Sequence, residues 1–262
     1  MLRIERLRIA YPGRTLVDGL SIDFRPGQIW AMLGRNGSGK STLLQALAAL
    51  RPPDSGMVWL KDAPIATLPR RALARSIGVL LQDESREFWG SVRDYVLLGR
   101  YPHARSPFRW GAEDEEVAEK EIAAMHLGGF GGRAFVSLSG GERQRARAAA
   151  LFAQRPVIYL LDEPLQHLDL PHQIAVLERL VTEARDGGGI VVMVLHDLNL
   201  AARYCSDFLL LYGDGRVSVG PAEEVLTAEK LGELYGFPLI PVDAGGERVF
   251  LPGKQSIKGR HV

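Results

Sequence analysis

A chain of 262 residues, 46% apolar and 24% charged, with a formal net charge of +1, has the composition of an ordinary globular protein. That charge gives no support for bulk electrostatic capture by nucleic acid or an anionic membrane, and the single cysteine, Cys205, excludes an internal disulfide and suits a reducing compartment. No apolar run reaches the ~20 residues that span a bilayer, and residues 1–6 lack the apolar core of a signal peptide, so the chain is expected not to enter a membrane alone.

The first eighty residues read as β-rich. Segments 2–10, 20–24 and 57–60 are predicted strands, separated by turns at Pro12-Gly13, Pro26-Gly27 and Pro52-Pro53-Asp54-Ser55-Gly56. The apolar segment 29–33 runs through a glycine-rich stretch into a helix-like one at 43–50, and 77–81 is a further short apolar run. From about residue 84 to 152 charged, helix-favouring residues dominate; 112–127 predicts a surface helix with an acidic start and apolar Val117, Ile122 and Met125. Strands then alternate with helices: strand 157–161, helix 173–184, strand 190–195, helix 198–205, strand 208–211. Continuous apolar strands separated by helices predict a parallel sheet covered on both faces. Asp214-Gly215 reads as a hairpin turn, 222–235 as a final helical stretch, and 254–262 as a mobile polar tail. Cys205, inside a helix-like run, is expected to be a small buried apolar residue.

Three runs carry chemistry. Gly34-Arg35-Asn36-Gly37-Ser38-Gly39-Lys40-Ser41-Thr42 fits the G-x-x-x-x-G-K-[ST] phosphate-binding pattern, placed between strand and helix as that pattern requires. Such a turn aims unpaired N–H groups and the positive helix end at one point; Lys40 would reach the β/γ-phosphates and the Ser41 hydroxyl would ligate Mg²⁺. Val157-Ile158-Tyr159-Leu160-Leu161-Asp162-Glu163 is a buried strand ending in two acids whose side chains need not share a task. Asp162 would hold Mg²⁺, and Glu163 would polarise the water attacking the γ-phosphate. Leu138-Ser139-Gly140-Gly141-Glu142-Arg143-Gln144-Arg145 contains a capping box, Ser139 to Glu142. Its two glycines cost a helix about 1 kcal/mol each, which close approach of a phosphate would offset.

The order of these motifs, with Gln82, Leu161-Asp162-Glu163-Pro164, Leu168-Asp169 and His196-Asp197, resembles the nucleotide-binding subunit of an ABC transporter over nearly the whole chain. The resemblance implies an α/β fold: a P-loop NTPase core with a mostly parallel sheet, an N-terminal antiparallel β subdomain and an inserted helical subdomain. One domain over 1–262 is expected, with 1–83 and 154–240 as core, 84–153 as helical lobe and 241–262 as a C-terminal strand and tail. It implies roles for further residues. Tyr11 matches the aromatic that stacks on adenine, and Gln82 the residue that senses Mg²⁺ and the attacking water. Ser139, Gly140 and Gly141, with Glu142 beside them, match the signature that caps the ATP of a second copy. Asp169 matches the loop crossing that dimer interface, and His196 the switch histidine at the γ-phosphate. The implied ligands are ATP with Mg²⁺ held by Ser41, Gln82 and Asp162; no nucleic acid is expected.

Val92-Arg93-Asp94-Tyr95-Val96-Leu97-Leu98-Gly99-Arg100-Tyr101-Pro102-His103 and Leu168-Asp169-Leu170-Pro171-His172-Gln173 resemble the ATPases of iron-chelate, haem and cobalamin importers, as does the ending Glu224-Val225-Leu226-Thr227 to Leu234-Tyr235-Gly236. That group implies two transmembrane permease subunits, a periplasmic substrate-binding protein acting indirectly, and a peripheral position on the cytoplasmic face of the inner membrane. Haem ranks first among the implied substrates, then siderophore, then cobalamin. An exporter or lipoprotein-release ATPase, or a soluble iron–sulfur-assembly ATPase, is the alternative. Two residues depart from the pattern: Leu165, where a small polar residue is usual, and Trp30, bulkier than usual before the phosphate loop. His103, His126, His167, His172 and His261 lack metal-ligand spacing and read as structural or surface residues.

Overall fold

The computed structural model describes residues 1–82, 88–104 and 109–253. The expected tail at 254–262, with His261, lies outside these residues, as do residues 84–87 at the start of the expected helical lobe.

Alternating apolar side chains draw the N-terminal segment into an antiparallel sheet. β1 (Leu2–Tyr11) and β2 (Arg14–Phe24) form a hairpin through Pro12-Gly13. β2 begins earlier than the expected 20–24, because Thr15 and Val17 pair with Ala10 and Ile9 across register shifts that absorb the irregular pattern. β3 (Ile29–Leu33) leaves this sheet and leads through the glycine-rich turn into α1 (Lys40–Leu47). β4 (Ser55–Leu60) returns alongside β1, β5 (Ala63–Pro64) closes the edge, and the order is β2-β1-β4-β5. α2 (Arg70–Ser76) then leads into β6 (Ile77–Leu80).

The helical lobe follows: α3 (Val92–Leu98), α4 (Ala112–Ala124) and α5 (Gly140–Gln154). After it come β7 (Ile158–Asp162), α6 (Leu170–Arg185), β8 (Ile190–Val194), α7 (Leu198–Tyr204) and β9 (Asp207–Leu211). β10 (Val217–Pro221) folds back on β9 through the expected Asp214-Gly215 turn. α8 (Ala222–Val225), α9 (Ala228–Tyr235) and a hairpin of β11 (Leu239–Ala244) with β12 (Glu247–Pro252) complete the described chain. The expected stretch 222–235 is two helices because the Thr227 hydroxyl accepts from the Lys230 N–H and starts a new one. The expected C-terminal strand is a hairpin, turning at Gly245-Gly246 with both φ angles positive.

The central sheet runs β10-β9-β3-β8-β7-β6, parallel except for β10. β3, β7 and β8 are buried at every position, the result of runs that are apolar throughout except for Asp162 at the end of β7. Their side chains alternate between two cores. Trp30, Met32, Ile158 and Leu160 pack with α1 and the antiparallel sheet, while Ala31, Leu33, Tyr159 and Leu161 pack with the helical lobe. Both departures from the family pattern are packing features: Trp30 meets Phe24 edge-to-face at 5.1 Å, and Leu165 is buried in the helical-lobe core. Cys205, at the end of α7, is buried as expected, and burial pushes its thiol up.

A charged seam joins the helical lobe to the sheet layer. Glu121 of α4, with 3% of its side chain exposed, receives both terminal nitrogens of Arg179 of α6 at 3.1 and 3.2 Å. The same guanidinium donates to Glu183 at 2.7 Å and lies over the Phe152 ring of α5, and Glu183 also accepts from the buried Tyr159 hydroxyl at 3.0 Å. Each charge inside this seam has its partner.

Candidate functional site

The parallel strands end on one side of the sheet, where chain segments turn back and can hold a ligand. The phosphate loop leaves β3 there. Gly39 is the residue before α1 and has φ 104°, a conformation L side chains avoid; a Cβ would also come within 3.0 Å of the Leu16 side chain. Glycine is therefore fixed at this point by backbone shape and by packing on β2. The Lys40 side chain folds back over the loop, its Nζ donating to the carbonyls of Gly34 and Arg35 at 2.9 and 3.1 Å. Burial lowers the Lys40 pKa, opposed by the nearby Glu163 and Asp162 carboxylates. The Ser38 hydroxyl is buried with no partner among the described residues.

Asp162 is the last residue of β7. The Ser41 hydroxyl, in the first turn of α1, lies beside its carboxylate, whose Oδ1 is buried without a hydrogen-bond partner among the described residues. Burial raises the Asp162 pKa, offset by the Ser41 hydroxyl. An acid with one oxygen left over beside a hydroxyl is a hard-oxygen donor set, and these two residues fit Mg²⁺.

Glu163 separates from Asp162 by a change of backbone, not only by strand alternation. Its φ is 51°, the left-handed region, so the chain turns sharply as it leaves the sheet while the Glu163 N–H still donates to the Val194 carbonyl at 3.2 Å. The turn aims its carboxylate at His196, two residues past β8; Nε2 of His196 lies 2.6 Å from Oε1 of Glu163. Asp197 follows and caps α7, accepting from the N–H groups of Asn199 and Leu200. Gln82 is exposed just beyond β6, which pairs with β7 up to Leu80 and Leu161. Tyr11 stands at the end of β1, 47% exposed.

Ser139 and Asp169 occupy a different place. Each caps a helix: Ser139 opens α5 through a reciprocal capping box with Glu142, and Asp169 accepts from the His172 N–H at the start of α6. The backbone and hydroxyl bonds from Ser139 hold the Glu142 carboxyl below its usual range, and the His172 side chain does the same for Asp169. Among the described residues no hydrogen bond or ion pair joins Ser139, Gly140, Gly141 or Glu142 to the phosphate loop of the same chain. The structure thus gathers the loop, Asp162, Glu163 and His196, and leaves Ser139 to Glu142 with Asp169 as a second cluster.

Gly140 and Gly141 meet a neighbour that sequence reasoning did not foresee. A Cβ on Gly141 would sit 2.9 Å from the His167 carbonyl oxygen, and one on Gly140 would touch the His167 ring. Packing against this chain's own 164–168 segment is therefore a reason for glycine at 141, independent of any phosphate. Gln144 strengthens the contact, donating to the Pro164 carbonyl at 2.8 Å. Arg147, on the same helix, donates to the Leu81 carbonyl beside Gln82. No sequence pattern marks these links, since they join backbone carbonyls to residues that read as ordinary helix polars. Of the other histidines, His103 bonds the Gln154 carbonyl at 2.8 Å, and His126 meets His172 edge-on at 5.6 Å.

A glycine loop with a buried lysine, a strand-end aspartate beside the serine that follows that lysine and a Glu–His pair together define a P-loop nucleoside triphosphatase. The chain belongs to the ABC transporter family, whose profile matches residues 17–166. It is an ATP-binding subunit of that family and hydrolyses ATP. It is 39% identical to the ferric enterobactin transport ATP-binding protein FepC of Escherichia coli, over 92% of this chain and 89% of that one. It is 40% identical to the hemin import ATP-binding protein HmuV of Pseudomonas aeruginosa, over 92% and 94%. Among solved structures, an inward-facing metal-chelate type ABC transporter superposes with a TM-score of 0.82 at 31% identity, over 97% of this chain and 98% of its own. A dimeric bacterial ABC transporter cassette shares the fold with a TM-score of 0.73 at 24% identity, over 84% and 98%. No helix among the described residues is long and apolar enough to cross a membrane.

Proposed function

We propose that this chain powers import of an iron chelate or of cobalamin, with haem first, then siderophore, then cobalamin. In this reading two copies sandwich two ATP molecules and drive a pair of permease subunits from the cytoplasmic face of the inner membrane, fed by a periplasmic binding protein. The single observation that carries it is the separation of two half-sites within one chain. Among the described residues no hydrogen bond or ion pair joins the capped N-terminus of α5 to the chain's own phosphate loop, and a second copy would bring the two positive helix ends onto one triphosphate of about four negative charges. The names of the relatives support an iron-chelate cargo, and the chain acts as one ATPase domain with 84–153 as its helical lobe.

Each residue then has a task. The loop N–H groups from Gly34 to Thr42 and the Lys40 ammonium bind the phosphates. Ser41 and Asp162, with Gln82 from the neighbouring strand end, would hold Mg²⁺, which when bound neutralises phosphate charge as the terminal P–O bond breaks. Glu163 accepts a proton from the attacking water, and His196 holds that carboxylate in place and faces the γ-phosphate. Tyr11 offers its ring to adenine. The partner's Ser139, Gly140 and Gly141 close over the γ-phosphate, with Glu142 fixing the cap and Asp169 spanning the interface. Hydrolysis removes the shared phosphate and loosens the sandwich.

Isolation of the tagged chain from its native membrane tests this reading. The expected result is recovery with two transmembrane partners, and ATP-driven uptake of haem, a ferric siderophore or cobalamin after reconstitution into vesicles with the binding protein outside. A chain that stays free of any membrane subunit refutes it, and outward transport transfers the assignment to an exporter.

A further inference from the structure

Tyr11 does not stand alone at the end of β1. The Arg51 guanidinium lies over its ring, 4.4 Å from the centroid, and Nη1 of Arg51 donates to the phenolic oxygen. Arg51 forms no ion pair among the described residues, so both of its described side-chain interactions are with Tyr11. The turn that carries it is tied down at both ends. Leu50 and Arg51 both donate their N–H groups to the Gln45 carbonyl of α1, at 3.0 and 3.3 Å, and Arg70 donates to the Ala49 carbonyl at 2.9 Å. On the far side, Asp54 accepts from the Ala10 N–H at 2.7 Å and donates its own N–H to the Arg8 carbonyl at 3.0 Å. The segment after α1 is thereby fastened to the last residues of β1, and the guanidinium arrives over Tyr11 as a consequence of backbone anchoring.

With a cation over one face, the residue is still 47% exposed, which leaves surface for a base to stack on the face opposite the guanidinium. Two physical effects follow. A ring held by a stacked cation and a bond to its hydroxyl has fewer rotamers to lose when a base docks. A cation also draws π density towards itself, which lessens repulsion between the open face and an aromatic partner. We infer that Arg51 is a positioning residue for the nucleobase, backing Tyr11 so that its open face receives adenine. This rests on the reading of Tyr11 as the adenine platform.

The test compares two ligands that share the phosphate loop, only one of which carries a base. ATP and inorganic tripolyphosphate are titrated against a fluorescent ATP analogue on the purified full chain, and the ratio of their affinities reports the adenosine part. Tyr11→Ala should lower the ratio about tenfold or more. Arg51→Ala should lower it about three- to tenfold with tripolyphosphate affinity retained, and Arg51→Lys should recover part of the loss. An unchanged ratio in Arg51→Ala, while Tyr11→Ala lowers it, overturns the role of Arg51 alone. Equal weakening of both ligands in Arg51→Ala makes the residue a support of the fold, and tighter ATP binding shows that it occupies the face meant for the base; either outcome also overturns the inference. An unchanged ratio in Tyr11→Ala removes the platform itself, and the inference with it.

Discussion

Arg179→Ala would undo the charged seam between the helical lobe and the sheet layer, and its cost follows from the contacts. The substitution leaves the Glu121 carboxylate, 3% exposed, without either of its two Arg179 bonds. Removing one member of a buried pair costs roughly 3–5 kcal/mol, and the lost stacking on Phe152 adds about 1 kcal/mol. Domains of this kind are stable by only ~5–15 kcal/mol, so the variant forfeits a third or more of its margin. At about 2–4 °C per kcal/mol, the unfolding temperature should drop on the order of 10 °C. Thermal and urea unfolding of Arg179→Ala, Glu121→Ala and the double variant would measure it. Both single changes break the same contact, so the double should be little worse than the worse single, with a coupling of about 2–3 kcal/mol. Arg179→Lys should restore part of the loss, because an ammonium cannot grip a carboxylate with a planar fork. A drop below ~2 °C, or strictly additive single effects, would show that apolar contacts alone hold the lobe.

Glu163→Gln should retain ATP binding, reduce turnover by a factor on the order of a thousand and accumulate an ATP-bound dimer on size exclusion; substantial remaining turnover removes Glu163 from the base role. Ser139→Arg should block turnover while ATP still binds, and an unaffected ATPase rate argues against a site shared between copies. Asp162→Asn should raise the unfolding temperature at pH 7 while abolishing hydrolysis. The sign comes from burial, which raises the Asp162 carboxyl above its unfolded value of 3.8. The ionised form therefore destabilises the fold above its folded pKa, and that penalty fades as pH falls towards 3.8, so the gain from Asn should shrink with it. A variant no more stable than the parent at pH 7 contradicts this account.

Much of this molecule can be read from the sequence, for identifiable reasons. The phosphate loop, the strand ending in Asp162 and Glu163, and the capping box at Ser139 are local: few neighbouring residues determine each, so spacing suffices. The parallel sheet was legible because β3 and β8 are apolar throughout and β7 is apolar up to Asp162 at its end. Long-range contacts were not. Arg51 is brought to Tyr11 by a turn fastened through Asp54 to the Ala10 backbone, and a backbone N–H carries no sequence signature. Glu121 and Arg179 lie 58 positions apart and each reads as a surface charge on its own helix. The fold closes α4 and α6 over them. The left-handed turn at Glu163 is equally silent, since a glutamate there offers no local hint of positive φ.

The contact between Gly141 and the His167 carbonyl has a consequence for timing. The 164–168 segment follows directly from Glu163, so any shift of that residue during hydrolysis would carry the segment with it. The glycines resting on it belong, in the proposed dimer, to the neighbour's ATP. Each protomer is then a short lever with its two ends in different reaction chambers. A dimer of such levers would pass the news of one hydrolysis to the other site through one carbonyl and one glycine, and a methyl group at residue 141 would jam it.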